Sequence, residues 1–348
     1  MSGTSLDGLD IAYCEFTWKD GIWEYEIKEA STISYDQLWI DRLKNAILVD
    51  SVGLLSIHNQ YGTWLGQQCK NFIKTHKLNI DFISSHGHTI FHQPEKGITY
   101  QIGSGQHLAN SSGYQVICDF RSKDVSLQGQ GAPLVPIGDE LLFKDYDFCL
   151  NLGGFSNISF RHHNERIAFD ISPANIALNF LCQKINKSYD DKGAIAQSGN
   201  VNQEILTKLD SLPFYEQQPP KSLGYEWFEE KVIPILESSN DSVHNLLHTT
   251  VKHISRQISK VISNYASQEV SKVLITGGGA KNTFLIHCIN NDLSHKHKVE
   301  IPDNIIIDYK EALIFAFLGV LRSRNEVNCL KSVTGATIDS STGIIHYP

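Results

Sequence analysis

Phe148-Cys149-Leu150-Asn151-Leu152-Gly153-Gly154-Phe155-Ser156-Asn157-Ile158-Ser159-Phe160 reads as a strand, a glycine turn and a second strand. The apolar letters run as β structure requires, and the paired glycines supply the tight turn. The start of the chain repeats this layout in other letters. Met1-Ser2-Gly3-Thr4-Ser5-Leu6-Asp7-Gly8-Leu9-Asp10 is a turn of small residues, and Ile11-Ala12-Tyr13-Cys14-Glu15-Phe16 then alternates as a strand should. A third turn, Gly277-Gly278-Gly279-Ala280-Lys281-Asn282, follows the strand Lys272-Val273-Leu274-Ile275-Thr276. Phosphate oxygens are held by backbone N–H groups at such turns, where a side chain would block the approach. A glycine turn serves an ordinary hairpin equally well, so each alone is a weak signal. Neither G-x-x-x-x-G-K-[ST] nor G-x-G-x-x-G occurs, and a nucleotide site of another design is what three strand-linked turns leave.

Outward from these turns, a second strand is expected near residues 23–30. A helix-rich stretch follows over residues 35–76, with Leu54, Leu55, Ile57, Tyr61 and Leu65 marking one face. Short strands at residues 81–85 and 115–119 end at polar residues, where active-site groups of α/β folds sit. The Gly/Pro-rich stretch 128–136 breaks the pattern and reads as a crossing between two lobes. Asp170 ends a strand over residues 167–169, and helices are expected over 241–267 and 311–322.

The 348 residues exceed the size at which single cores usually stop growing, which favours two lobes with a cleft between them. A hydrophobic fraction of 41% with 20% charged residues is ordinary for a globular chain. A net charge of -8, with no long Lys/Arg run, leaves no field for a polyanionic backbone, so nucleic acid is not expected as a partner. The seven cysteines are odd in number and form no C-x-x-C pair, which suits reduced thiols in a cytoplasm. No basic-then-apolar leader and no run of 18 apolar residues is present, so neither secretion nor a membrane partner is expected. Fifteen histidines include His244 and His248 at i, i+4 spacing, but the ligand grammar of a structural metal is missing.

Ten segments in order carry a family likeness: residues 1–10, Ser84-Ser85-His86-Gly87-His88-Thr89, Thr99-Tyr100-Gln101-Ile102-Gly103, Asp119-Phe120-Arg121, residues 129–136, 151–157, 169–175, Pro220-Lys221-Ser222, residues 277–282, and Ser332-Val333-Thr334-Gly335-Ala336. Together they resemble the anhydro-N-acetylmuramic acid kinases over nearly the whole chain. The resemblance implies an α/β, two-lobed actin-like (ribonuclease H-like) ATPase fold with a nucleotide and substrate cleft between the lobes. Residues 1–135 with 310–348 would form the first lobe and 136–309 the second. The implied reaction is coupled: ATP phosphorylates O6 of 1,6-anhydro-N-acetylmuramic acid while water opens the anhydro bridge, giving N-acetylmuramic acid 6-phosphate and ADP in murein recycling. Cofactors are ATP and Mg2+, and a homodimer is left open.

By the same resemblance Asp170 is the catalytic base; read from its neighbours alone it is equally a helix cap ahead of Asn175. Gly3, Thr4, Ser5, Leu6, Asp7, Gly8, Gly153, Gly154, Asn157, Gly277, Gly278, Gly279 and Asn282 would hold the nucleotide. Ser5, Asp7, His86, Thr89, Asp119, Arg121 and Glu311 would face the sugar, with Asp7 also near Mg2+ through water. Arg121 suits the lactyl carboxylate, or else an ion pair with Asp119. His86 and His88 suit hydrogen bonds to a sugar, or a buried and satisfied role. Glu311, expected to open a helix, also complements its dipole there.

Departures from the family pattern are Ile171-Ser172 after the aspartate, His88 in the histidine-glycine motif and Ser104-Gly105 for an aspartate-proline. Met1 falls inside the opening motif, so the strand that precedes it in the family is expected to be missing from the numbered chain. Other readings are a different sugar or acid kinase on the same fold, in which Asp170 deprotonates a hydroxyl, and a non-catalytic ATP-binding switch.

Overall fold

The computed structural model describes residues 1–3, 6, 8–266, 270–293 and 296–348, and it divides into two compact units, Met1–Leu142 with Tyr309–Pro348 and Phe143–Asp308. The chain opens with the antiparallel hairpin β1 (Leu9–Lys19) and β2 (Ile22–Ile33), followed by helices α1 (Gln37–Asn45) and α2 (Ser51–His76). Short strands β3 (Ile83–Ser85), β4 (His88–Gln93) and β5 (Ile98–Ile102) come next, then helix α3 (Gly105–Ser112) and strand β6 (Val116–Cys118). The second unit begins with β7 (Phe148–Leu152), β8 (Phe155–His162) and β9 (Glu165–Pro173) and helix α4 (Asn175–Gln183). It continues with the long helix α5 (Val243–Tyr265), β10 (Lys272–Thr276), α6 (Thr283–Asp292) and β11 (Lys298–Glu300). Helix α7 (Asn304–Ser323) and the last strand β12 (Ile344–His346) close the order.

In the second unit one sheet runs β11-β10-β7-β8-β9. The antiparallel meander β7-β8-β9 is extended on the far side of β7 by β10 and β11, both parallel. Helix α5 covers it with Leu247, Val251, Ile254, Ile258 and Ile262, spaced by three and four residues so that all fall on one stripe. Ser242 caps this helix by accepting the Asn245 N–H (3.2 Å). Leu150, Leu152, Ile158 and Ile171 are at most 1% exposed against that stripe and α4, so the site-bearing strands are fixed by the core itself.

In the first unit β3 pairs with β6 in parallel and β12 joins β6 antiparallel, while β1-β2 and β4-β5 are separate two-stranded ladders. A core of Trp39, Leu43, Tyr61, Leu65, Ile102 and Leu108 lies under α1 and α2. Tyr35 donates to Ser2 Oγ (2.7 Å) and shares a bond with Tyr61 (2.7 Å), and Ser2 Oγ also meets His88 Nδ1 (2.9 Å). This buried polar chain ties the first residues to the helices.

Several local expectations are corrected. Of the face expected on α2, Tyr61 and Leu65 are buried and Leu54 and Ile57 pack partly buried against the same core, but Leu55 is 56% exposed; the buried face continues through Phe72 and Ile73, with Gly62 and Gly66 approaching α3. Helix α7 does not open at Glu311: Pro302-Asp303 is the true punctuation, the Asp303 carbonyl accepting from Ile306 (2.9 Å) and Ile307 (3.1 Å), and Glu311 lies inside the helix. Strand β9 passes through Asp170 to Pro173, and the hairpin β4-β5 was not anticipated. Among the described residues no helix is long and apolar enough to cross a membrane.

Candidate active site

Register across the second unit's sheet sets four polar residues in a row: Thr276 on β10, Asn151 on β7, Asn157 on β8 and Asp170 on β9. Residues directly opposite in a ladder share a face, and their neighbours point the other way, here into the core. The register slips between Ser156, which faces Ser172, and Asn157, which faces Asp170, so Ile171 is the extra residue of a bulge. Bulges re-aim side chains beside functional sites. Ile171 itself is 1% exposed and anchors the bulge in the core.

The loop after Pro220 straps Asp170 to the sheet edge. The Asp170 N–H donates to the Lys221 carbonyl (3.1 Å), and Asp170 Oδ2 accepts the Leu223 N–H (2.8 Å). Burial raises the carboxyl above its ordinary range, and the Leu223 N–H opposes that shift. Oδ1 has no partner among the described residues. The alternative of a helix cap is set aside: Ala174 holds the cap position of α4 without a side-chain bond. Lys221 sits over the Phe214 ring (4.7 Å) and donates to the Phe214 carbonyl (3.2 Å). A cavity of about 280 Å³ lined by Phe169, Ile171, Tyr215 and Lys221 does not include Asp170.

Two of the glycine turns converge beside this row. The Gly153 carbonyl accepts from Asn175 N (3.1 Å), and the Gly154 carbonyl from Ala174 N (2.8 Å) and Ile176 N (3.1 Å), so the hairpin is seated on the start of α4. Asn175 Nδ2 donates to the Leu152 carbonyl (3.0 Å). Gly277 has φ +80°, and a Cβ there would lie 2.5 Å from Asn151 Oδ1, so only glycine fits. Gly278 and Gly279 follow in the same turn, next to Asn175. Asn282 stands apart in role: its Oδ1 caps α6 by accepting the Leu285 N–H (3.0 Å).

In the first unit Arg121 and His86 form the centre. Arg121 donates through Nε (3.0 Å) and Nη2 (2.9 Å) to His86 Nε2, and through Nη1 to the Gly131 carbonyl (2.6 Å). His86 Nδ1 lies 3.0 Å from the Gly87 carbonyl, so the network assigns the proton to Nδ1 and leaves Nε2 as acceptor. Burial, and next the Arg121 charge, hold the imidazole neutral, with its pKa well below the usual value. Burial lowers Arg121 to about 10, which leaves it cationic at neutral pH. The guanidinium lies 5.8 Å over the Phe315 ring. Its partners are thus His86 and Gly131, while Asp119, at φ +57°, accepts the Ser122 N–H (3.2 Å). Glu311 is exposed and within electrostatic reach of Arg121 and of the Met1 ammonium. Thr89 faces Gln101 across β4-β5, and Gly3 accepts from Leu6 N (3.4 Å), which has φ +58°. Gly8 abuts Thr32 and Ile33 of β2. Thr4, Ser5 and Asp7 lie outside the described residues. Among the described residues no group of three His, Cys, Asp or Glu is placed to hold a metal ion.

The sequence profile of the anhydro-N-acetylmuramic acid kinases matches residues 1–348. The chain belongs to this family. The anhydro-N-acetylmuramic acid kinase of Bacillus thuringiensis subsp. konkukian is 32% identical, covering 100% of this chain and 98% of that protein. That of Hydrogenovibrio crunogenus is 33% identical, covering 100% and 97%. Among solved structures, a ROK family protein from Streptococcus pneumoniae in complex with sucrose aligns over 92% of this chain and 97% of its own, at 10% identity and a TM-score of 0.37.

Against the family pattern, each departure has a local physical account. Ile171 fills the bulge, and the Ser172 hydroxyl meets Ser156 Oγ (2.9 Å) in a buried pair. His88 is buried against Ser2, and burial lowers it to about 4. Ser104 caps α3, and Gly105 packs where a Cβ would lie 2.4 Å from His346 and 2.5 Å from Cys118 Sγ. Sequence reasoning gave no role to Asn151, Thr276, Lys221 or the Leu223 N–H, Asn151 and Lys221 standing only inside the family segments 151–157 and 220–222. The first two carry a signal, polar letters closing apolar strands, whereas the strap on Asp170 is a contact 53 residues away with no local mark.

Proposed function

We propose that this family member, a phosphotransferase, runs the coupled reaction with Asp170 as base. The observation that supports it is the Asp170 carboxylate: desolvated, held through Oδ2 by the Leu223 N–H, and with Oδ1 available. A raised carboxyl pKa brings a base nearer to working pH. In the reaction, water loses a proton to Asp170 while its oxygen forms a bond to the anomeric carbon. The bond from that carbon to O6 breaks, the O6 electron pair attacks the γ-phosphorus of ATP, and the bond to the ADP oxygen breaks. Water, anhydrosugar and ATP thus give N-acetylmuramic acid 6-phosphate and ADP.

The nucleotide phosphates are assigned to the turns at Gly153-Gly154 and residues 3–8, and adenosine to Gly277–Gly279. The Gly153 and Gly154 carbonyls are committed to α4, which supports a role for the hairpin's N–H groups toward the anion. Magnesium would neutralise phosphoryl charge when bound with ATP, largely through phosphate and water, and Asp7 is its proposed contact. Arg121 takes the lactyl carboxylate: with Nε committed to His86, its two η nitrogens still have N–H groups to spare. Thr89, Asp119 and Glu311 complete the sugar contacts. All seven cysteines are free, which fits action in the cytoplasm, where ATP is made.

Reaction in ¹⁸O-labelled water tests this reading. Label at the anomeric hydroxyl together with phosphate on O6 is expected. Phosphorylation with the anhydro bridge intact would move Asp170 to direct deprotonation of a hydroxyl, and ATP turnover indifferent to the sugar would leave a nucleotide switch.

A further inference from the structure

Both backbone bonds that hold Asp170 come from residues 221–224, a stretch in neither helix nor strand. Strand β9 is the last of its sheet, so among the described residues no further ladder fixes this stretch in place. Two hydrogen bonds alone are a weak hold on a loop. The Lys221 side chain supplies a second anchor. Its Nζ donates to the Phe214 carbonyl (3.2 Å) and lies 4.7 Å over the Phe214 ring and 5.8 Å over the Phe169 ring. Phe169 is the neighbour of Asp170 on β9, and neighbours on a strand point to opposite faces. The ammonium therefore ties the loop both to the back of β9 and to the 3₁₀ turn Pro213–Glu216.

That turn is itself locked. Phe214 and Tyr215 are buried, and the Tyr215 hydroxyl meets His253 Nε2 (2.8 Å). His253 Nδ1 lies 2.6 Å from Asp210 Oδ1, which also accepts from Gln257 Nε2 (3.1 Å), while Arg256 Nη1 donates to Asp210 Oδ2 (3.2 Å). His253, Arg256 and Gln257 stand on α5, whose apolar stripe packs on the sheet. A buried polar network with its partners satisfied holds one geometry. The line of contacts is thus continuous, from α5 through Asp210, His253 and Tyr215 to the turn, and from the Phe214 carbonyl through Lys221 to the strap on Asp170.

We propose that Lys221 is a positioning residue for the base: its ammonium clamps the strap onto the turn at residues 213–216 and so sets where the Leu223 N–H meets Asp170 Oδ2. The inference rests on the reading of Asp170 as base. Lys221 lines the cavity that holds Phe169 and Ile171 but not Asp170, so it works through the strap and not on the reacting atoms.

Lys221→Met, which keeps the stem and deletes the charge and the donor, tests this. The variant is expected to fold, to keep its KM for ATP and to lose about 10- to 100-fold in kcat with the anhydrosugar, the scale of a misplaced reacting group. The acid limb of kcat/KM should move to higher pH, and the Leu223 amide should exchange faster while β7 amides are unchanged. Lys221→Arg keeps a cation over the rings and a donor to the carbonyl, and should restore most of the rate. In an Asp170→Asn background, Lys221→Met should cost no further turnover, because the two residues act as a unit. Should Lys221→Met not fold, Tyr215→Phe leaves Lys221 intact and loosens only the turn; a smaller shift of the acid limb in the same direction is expected, and an unmoved limb counts against the clamp. Loss of turnover in Asp170→Asn, with wild-type kcat and acid limb in Lys221→Met, overturns the inference and leaves the base standing. A lower melting temperature with kcat and limb unmoved likewise makes the lysine structural only, and losses that add in the double variant would put Lys221 on the substrate instead. Wild-type turnover in Asp170→Asn removes the base and this inference with it.

Discussion

Asp170 Oδ2 accepts the Leu223 N–H at 2.8 Å, so the proposed base is held by a backbone group that cannot titrate or swing away. A charged carboxylate and a neutral amide oxygen can both accept that bond. Asp170→Asn is therefore expected to fold, to bind ATP and to lose turnover by about 10²- to 10⁴-fold, the range for a general base. Because burial disfavours the charge, the asparagine variant should melt at the same or a higher temperature than the parent at neutral pH. Wild-type turnover in this variant would remove Asp170 from the chemistry.

The pH dependence follows from the same shift. Only the deprotonated carboxylate accepts a proton, so kcat/KM should fall on the acid side with a midpoint above the ordinary 3.8 of an aspartate. For stability the sign is opposite to that of a salt-bridged aspartate. A folded pKa above the unfolded one stabilises below the unfolded value and loses that contribution as pH rises through the folded value. Leu223→Pro deletes the N–H that favours the charged form, and the acid limb should then move to higher pH. An unmoved limb would show that another group sets it.

Arg121→Lys keeps the charge and loses the planar fork. A single ammonium cannot serve His86, Gly131 and a carboxylate together. KM for the sugar should rise about 10- to 100-fold, equivalent to about 1.4 to 2.7 kcal/mol, with kcat changed far less. Arg121→Ala additionally leaves His86 Nε2 unsatisfied in a buried site, at a cost of about 1 to 3 kcal/mol of stability by denaturant unfolding. An unchanged KM in the lysine variant would argue for a purely structural fork.

Gly277→Ala meets both a left-handed backbone and the Asn151 side chain. A loss of about 1 to 3 kcal/mol in stability is expected, with weakened ATP binding by calorimetry. Gly97→Ala is the matched control, since its φ is +71° with nothing within 4 Å of the added Cβ. It should cost about 1 kcal/mol and leave nucleotide affinity untouched.

Family and α/β class are readable from the letters alone, because strand alternation, glycine turns and ordered motifs are local properties written in adjacent residues. Strand 272–276 and the strand-turn-strand at 148–160 were legible for that reason, with α5 legible to within two residues at either end. The features that needed the folded chain are non-local. The bulge at Ile171 depends on pairing with Ser156 and Asn157, the strap on Asp170 comes from Leu223, and Arg121 chooses His86 over Asp119 because the ends of β3 and β6 lie side by side.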